Sequence, residues 1–568
     1  MPIRPGFTAQ FVAGNFFVRI GLMKFTVRIA IIAILGCTGL AFTASRVDSA
    51  DTGAYLMSSA TPTPTPKIDP APKPTSIPVA TPSPTPVPVQ TLADLQSSIR
   101  QRLFSPEVRR GRIGIKVVSL NSGKIVFEND SDKYYMPASN MKNFTVATAI
   151  ERLTPDYRFV TAVRAAALPD AAGNVKGDLV IYGGGDISIS TAFSNGDYYK
   201  GLDDLAEKIK LAGLKRIEGD VVADESYFKG FRIPDTWEWD DLQSYYGAEI
   251  SALPLNDNAV DISVLPGSRG NQCIARILPV NQIIRIVNRC VTGASGSKRD
   301  LRVFKQIDQN VVEISGSMPA GDGKYESSIA ITRPAELFVA LLKERLSKKG
   351  VTVTGRSRTM AADERPFPID NGKVVFTEVT KLESPPLALI AAKTMKPSQN
   401  MYTETILWTL GEQVGRKNGG NGNSGLLGLG VVKAFLNQIG VPDDGIVQYD
   451  GSGLSRHNLI TPSAVVTLYT YMAKQSRYSQ AWRDSLTIGG VDGTLRNRFK
   501  GTAAQGNIRG KTGTIDQVSA LSGYLTTAGG EQLVVSFVVN GVPTPSMRTS
   551  LIDDIVVKLA NFNGKLDQ

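Results

Sequence analysis

Histidine is nearly absent: the 568 residues contain one, His457. A multi-histidine metal site and an HExxH zinc helix are therefore excluded. A Ser-His-Asp triad would have to use His457, yet no GxSxG nucleophile elbow occurs. Any hydrolytic chemistry needs a different base. Cysteine is scarce, with three in the chain, too few for a disulfide scaffold. Acids are outnumbered, 52 against 63 Lys plus Arg, giving a net charge of +11. That excess suits contact with anionic polymers and is equally compatible with a plain solvated basic surface. The composition, 42% hydrophobic and 20% charged, is that of an ordinary soluble protein. It excludes wholesale disorder, a collagen-like fibre and a polytopic membrane protein. The length suggests about three domains.

Residues 29–42 are apolar, preceded by Lys24 and Arg28 and followed by the small Ala44 and Ser45. A cationic head, an apolar segment and small residues make an export signal, so residues 1–50 are read as a signal peptide or anchor. At about 14 residues the segment falls short of the ~20 needed to span a bilayer. Met23 is an alternative start, and Ile34-Leu35-Gly36-Cys37 loosely matches a lipoprotein box. Cleavage, anchoring and lipidation all stay open, and with them peripheral or N-terminal membrane association. Residues 51–90 form a linker in which, from Ala60 to Gln90, proline recurs among Thr and Ser, a polyproline-II spacer of ~30 residues able to reach roughly 90 Å. Export would also leave Cys273 and Cys290 as an even pair in an oxidising compartment. The runs flanking Pro279-Val280-Asn281 between them read as a hairpin whose ends a disulfide could bridge; two buried free thiols are the alternative.

Folding should begin near Thr91, with Leu92, Leu95, Ile99 and Leu103 on one helical face. Strands over 112–119 and 124–129 flank an Asn121-Ser122-Gly123 turn. A helix opens near Ser139, and residues 160–375 read as strand-rich. Helices over 398–415 and 424–439 come next, then strands at 521–525 and 533–540 and a helix at 549–561. Helix and strand at both ends around a strand-rich middle imply an α/β core with an insert. Two nucleotide-like motifs are set aside. Residues 420–425 match GxGxxG but lie after a helical pattern instead of a strand, and GNIRGKT at 506–512 leads into a strand, with no helix to hold phosphate.

Without histidine, lysine is the natural base, provided burial lowers its pKa. Ser139-Asn140-Met141-Lys142 puts a hydroxyl and an amine at i and i+3 on one helical face. The helix start adds N–H groups for an oxyanion. Ser226–Lys229 and Ser295–Lys298 share this spacing, so the motif alone is weak. Two further motifs, downstream and in order, distinguish Ser139: Ser398-Gln399-Asn400, then Lys511-Thr512-Gly513-Thr514. Ordered SxxK, SxN and KTG are the signature set of penicillin-binding proteins and serine β-lactamases. Glycine at 513 would let a substrate backbone approach the strand.

On these motifs the sequence resembles the low-molecular-mass class C penicillin-binding proteins, the S13 D-Ala-D-Ala carboxypeptidases/endopeptidases, from about residue 91 to the end. The stretches 219–228, 246–260, 450–458 and 489–499 are also similar, while Ile187 stands where the family usually has proline. The resemblance implies an α/β (α+β) core with a five-stranded antiparallel sheet flanked by helices and two strand-rich inserted domains. The catalytic domain would comprise 91–162 and 376–568, inserted domain II 163–250 and 335–375, and a nested domain III, with the cysteine pair, 251–334.

It further implies that Ser139 attacks the penultimate D-Ala carbonyl of peptidoglycan stem peptides, with Lys142 as base, neutralised by burial and by Lys511 nearby. Ser398 would relay a proton to the leaving D-Ala and Asn400 would bind the substrate backbone. Lys511 and Thr512 would hold the terminal carboxylate, and the N–H groups of Ser139 and Thr514 would form the oxyanion hole. β-Lactams would be covalent inhibitors. No cofactor or metal is implied. The loop Asp450–Asn458 would border the cleft, with Ser452, Ser455 and His457 structural. A compact β-lactamase or esterase would not need the insert, and a decayed scaffold would not need intact motifs. A nucleic-acid binder would fit the charge but neither the leader nor the stalk.

Overall fold

The computed structural model describes residues 88–566 apart from 361–363, 365, 366, 368, 371 and 372. The leader and nearly all of the proline spacer therefore lie outside the described residues. Among the described residues, no helix is long and apolar enough to cross a membrane.

One antiparallel sheet organises the two ends of the folded chain. Its strands run in the order Ile125–Asn129, Arg112–Ser119, Gln532–Asn540, Val518–Thr526, Arg509–Ile515 and Thr487–Ile488. The five expected strands are present; the sixth is a two-residue edge pairing Thr487 with Gly510 and Ile488 with Arg509. Side chains alternate across it: Val534 and Val538 enter one core, and Leu533, Val535, Phe537 and Val539 the other. Burial on both faces explains why this strand reads as a continuous apolar run. One face is covered by Leu92–Leu103 and Pro545–Asn561 through Leu95, Ile99, Leu551, Ile555 and Leu559. On the other lie Lys142–Leu153, Asn400–Leu410 and Pro462–Lys474, contributing Phe144, Ile150, Ile406, Val465 and Tyr469. The first helix begins where expected. Thr91 Oγ1 accepts from Asp94 N and the Asp94 carboxylate accepts from Thr91 N, a reciprocal cap.

The middle of the chain builds separate sheets. Val160–Ala165, Leu179–Tyr182, Val221–Asp224, Ser357–Thr359 and Thr377–Glu383 share one. Between the third and fourth of these in sequence, residues 259–330 make two more, one centred on Ala259–Leu265 and one on Val311–Pro319. The region is less purely strand than expected. Lys200–Leu211 buries Leu202, Leu205, Ala206 and Ile209, and packs against Pro334–Lys348 through Asp203 and Arg345, whose two nitrogens each lie 2.7 Å from the carboxylate.

Cys273 and Cys290 are disulfide-bonded, but the expected hairpin is not formed. Ile274–Leu278 pairs with Ala259–Leu265, whereas Arg285–Asn288 pairs in parallel with Val311–Pro319. The cause is local. Asn281 Oδ1 accepts from the N–H groups of Ile283 and Ile284, an Asx-type turn that sends the chain into the next sheet. The bridge therefore links two sheets.

Candidate active site

The site forms where a short helical turn meets a strand of the main sheet. Ser139 lies in a 3-10 turn, Ala138–Met141, and Lys142 begins the adjoining α-helix. In 3-10 geometry residues i and i+3 eclipse, so Lys142 Nζ comes within 3.0 Å of Ser139 Oγ. Nζ also contacts Asn400 Oδ1 at 2.6 Å and the Ser452 carbonyl at 2.7 Å. Asn400 Nδ2 donates to the Tyr246 carbonyl at 2.9 Å, which fixes its amide with the oxygen toward lysine.

These contacts suit either form of the amine: an ammonium donates to all three oxygens, and a neutral amine to two of them. Both carbonyl oxygens can only accept, so a neutral amine spends its two N–H groups on them. Its lone pair then faces the one partner with a proton to give, the Ser139 hydroxyl. Burial pushes Lys142 down to about 7, against the opposing pull of Asp450 and Glu404. Lys511 was expected to add to this. Repulsion between the two ammonium groups is mutual, and Lys511 is itself held well below the ordinary lysine value, by burial first and then by Lys142. Glu404 was not foreseen. It is fully buried and accepts from the N–H groups of Gly451 and Ser452. Burial, then the adjacent Asp450, raises its carboxyl to about 8.

The second wall carries Ser398, half-buried at the start of Asn400–Leu410 with a left-handed φ of 69°. Such a backbone is uncommon for serine and clusters at functional sites. Lys511 Nζ lies 2.8 Å from Ser398 Oγ. Thr512 Oγ1 lies 2.7 Å from Thr494 Oγ1, so the 489–499 stretch supports the KTG strand. Thr514 is exposed at the mouth of the site.

Gly513 also has a reason within the chain itself. A Cβ there would lie 2.5 Å from the Pro137 carbonyl, 3.0 Å from Asn140 N and 3.2 Å from Ser139 N. Glycine admits the chain's own nucleophile turn against the strand. Asn140 locks that contact, donating to the Lys511 carbonyl at 3.0 Å and accepting from Ser522. A polar residue on the buried side of a helix start was the available clue.

The structure thus brings together Ser139, Lys142, Ser398, Asn400, Lys511, Thr512 and Gly513. The other SxxK pairs lie elsewhere: Lys229 donates to the Ser226 carbonyl at the surface, and Ser295 and Lys298 are exposed. Asp450 anchors the bordering loop by accepting from the N–H groups of Gly453 and Ser455, from Asn458 and from Trp237 Nε1. Ser452 contributes its carbonyl, Ser455 its place in the loop, and His457 stacks edgewise on Tyr449. Trp237 and the Tyr246 carbonyl come from the middle of the chain, so that region helps to build the site.

A helix-borne serine with a buried lysine, facing a Ser-x-Asn turn and a Lys-Thr-Gly strand, defines an active-serine hydrolase on the penicillin-binding-protein and serine β-lactamase-like fold. Residues 95–562 match the D-Ala-D-Ala carboxypeptidase 3 (S13) family. The chain belongs to that family of serine-type carboxypeptidases. It is 33% identical over 484 residues to a D-alanyl-D-alanine carboxypeptidase of Actinomadura sp. strain R39, covering 83% of this chain and 86% of the relative. A Haemophilus influenzae D-alanyl-D-alanine carboxypeptidase DacB is 23% identical, over 77% of this chain and 87% of its own length. The crystal structure of Haemophilus influenzae penicillin binding protein 4 (dacB) superposes with a TM-score of 0.69 at 23% identity, covering 83% of this chain and 99% of that one.

Proposed function

We propose that this enzyme removes the terminal D-alanine from peptidoglycan stem peptides ending in D-Ala-D-Ala, through an ester on Ser139. The carrying observation is the pair of buried lysines, each beside a hydroxyl, at 3.0 Å and 2.8 Å. Ser139 Oγ attacks the penultimate carbonyl carbon as its proton passes to Lys142 Nζ. Ser398 relays a proton to the departing D-Ala amine as the C–N bond breaks, and Asn400 orients the substrate backbone. The substrate carboxylate binds Lys511 and Thr512, and its charge favours the protonated form of Lys511, against the burial that lowers it. The N–H groups of Ser139 and Thr514 stabilise the oxyanion, and water then hydrolyses the ester. β-Lactams acylate the same serine; a complex of the Haemophilus influenzae protein with a β-lactam supports this. Crosslink endopeptidase action would use the same site.

The leader sequence supports export to the extracytoplasmic envelope. The strand pairings support a catalytic domain from both ends of the chain, an insert beginning near Val160 and ending near Glu383, and a second insert nested within it carrying the disulfide.

The test is release of free D-alanine from a diacylated L-Lys-D-Ala-D-Ala peptide, followed with D-amino acid oxidase, beside intact-mass detection of a benzylpenicillin adduct. Release with a stable single adduct is expected. No release, with drug hydrolysed and no adduct, would replace this reading with a β-lactamase; no release and no adduct, with drug intact, would indicate a scaffold.

Gly513→Ala should separate the nucleophile turn from the KTG strand. Displacement of about 1 Å at reacting groups costs roughly a hundredfold, so acylation should fall at least that far. Thermal unfolding should also drop by several degrees. Gly430→Ala, inside the helix Ser424–Gln438 where a Cβ meets nothing within 4 Å, should leave acylation unchanged and, if anything, raise the midpoint slightly. Equal behaviour of the two variants would refute the close-packing role.

A further inference from the structure

Gln399, the variable middle residue of the Ser-x-Asn turn, is held at both ends of its side chain. Its Oε1 accepts from Met401 N at 3.2 Å, and its Nε2 donates to Asp257 Oδ2 at 3.0 Å. Its own N–H donates to the Thr394 carbonyl at 2.9 Å. Asp257 comes from the insert. Its other oxygen accepts from Ser190 Oγ at 2.8 Å and from the Tyr402 hydroxyl, so one carboxylate holds two points at the start of the Asn400–Leu410 helix and ties them to Ser190.

The turn bearing Asp257 is itself unusual. Asn256, Asp257 and Asn258 have φ of 45°, 63° and 53°, three successive left-handed residues. Asn and Asp tolerate this region better than other side chains. Side-chain bonds hold the turn: Asn256 to Thr191 N and the Tyr198 carbonyl, Asn258 to Leu255 N and the Glu249 carbonyl. So many bonds fix a carboxylate against Gln399, next to Ser398, whose own φ is left-handed at 69°. A strained backbone persists where its surroundings over-determine it.

We propose that Asp257 is a positioning residue for the reaction: by gripping Gln399 it keeps Ser398 in its left-handed conformation, with the hydroxyl beside Lys511. The inference rests on the catalytic reading of Ser398. It gives the insert a part in catalysis distinct from recognition of substrate.

The contact has a polarity that can be inverted. In Asp257→Asn, the amide turns its nitrogen to the Ser190 and Tyr402 hydroxyls, which accept as well as donate, and keeps its oxygen on Gln399 Nε2, so this variant is the control. In Gln399→Glu, two carboxylates face each other. In the double variant the amide introduced by Asp257→Asn donates to the carboxylate introduced by Gln399→Glu, whose other oxygen still caps Met401. The measurements are kcat and KM on the peptide, the benzylpenicillin acylation rate, and the thermal midpoint.

Gln399→Glu should lose about tenfold or more in kcat and in acylation rate, with KM little changed, while Asp257→Asn stays near wild type. The double variant should return to within about threefold of wild type. If Gln399→Glu does not fold, Asp257→Leu, which leaves Gln399 Nε2 without its acceptor, takes its place and should show the same loss in kcat and acylation. A double variant no faster than Gln399→Glu, or a loss confined to the thermal midpoint in Gln399→Glu or in Asp257→Leu, would overturn the proposal. A wild type unmodified at Ser139 would overturn the underlying site assignment instead.

Discussion

Ser139→Ala should abolish the benzylpenicillin adduct: after exposure its intact mass should match that of untreated protein, while wild type gains one drug mass. D-Alanine release should fall by about ten thousandfold or more, since removing a nucleophile leaves only binding and the oxyanion site. The fold should survive. Ser139 is half-buried in its turn, and the bonds that seat the turn belong to neighbours, Asn140 to the Lys511 carbonyl and to Ser522. The Ser139 N–H is also retained in the variant. Lys142 loses one of three contacts and keeps those to Asn400 and Ser452, so the base stays in place with nothing to deprotonate. Activity should therefore vanish while the thermal midpoint moves little, which separates a chemical role from a structural one. An adduct persisting in Ser139→Ala would assign the nucleophile elsewhere, and both Ser398 and Ser452 would then have to be tested.

What the sequence made legible divides along a physical line. Motif residues are fixed by chemistry that tolerates few substitutes, so Ser139, Lys142, Ser398 and Lys511 could be picked out by order alone. Their environment is not encoded that way. Glu404 looks like any polar residue in a helix, yet its neighbours bury it completely. The Tyr246 carbonyl and the Ser452 carbonyl are backbone atoms, which any residue could supply. Asp257 sat inside a recognised stretch, but its grip on Gln399 joins residues 142 positions apart. Long-range pairing also decided the cysteine segment. Both strand runs were visible, and each found its partner outside the hairpin that proximity suggested. The two helices in the middle of the chain carried an ordinary amphipathic signal. Leu202, Leu205, Ala206 and Ile209 fall at helical spacing, and the surrounding strand patterns obscured them.

The base should reveal itself in two linked measurements. Lys142 must be neutral to take the Ser139 proton, and burial brings it down to about 7. Below that pH the ammonium dominates and has no lone pair to offer; above it the free amine dominates. Acylation by benzylpenicillin should therefore rise with pH through about 7 and level off on the alkaline side. A conventional lysine would keep rising toward 10.5, the value from which Lys142 is lowered. Lys142→Arg keeps a cation of similar reach but cannot lose a proton near neutrality, and Lys142→Met removes both charge and base. General-base catalysis is worth about a hundred- to ten-thousandfold, so both variants should fall by that order and lose the step near 7. The comparison isolates the proton from the charge, because an ammonium acting only as an electrostatic anchor would be partly replaced by arginine. If Lys142→Arg acylated at more than about a tenth of the wild-type rate, or the wild-type profile were flat across neutrality, the lysine would be an anchor. The proton would then have to leave Ser139 by another route.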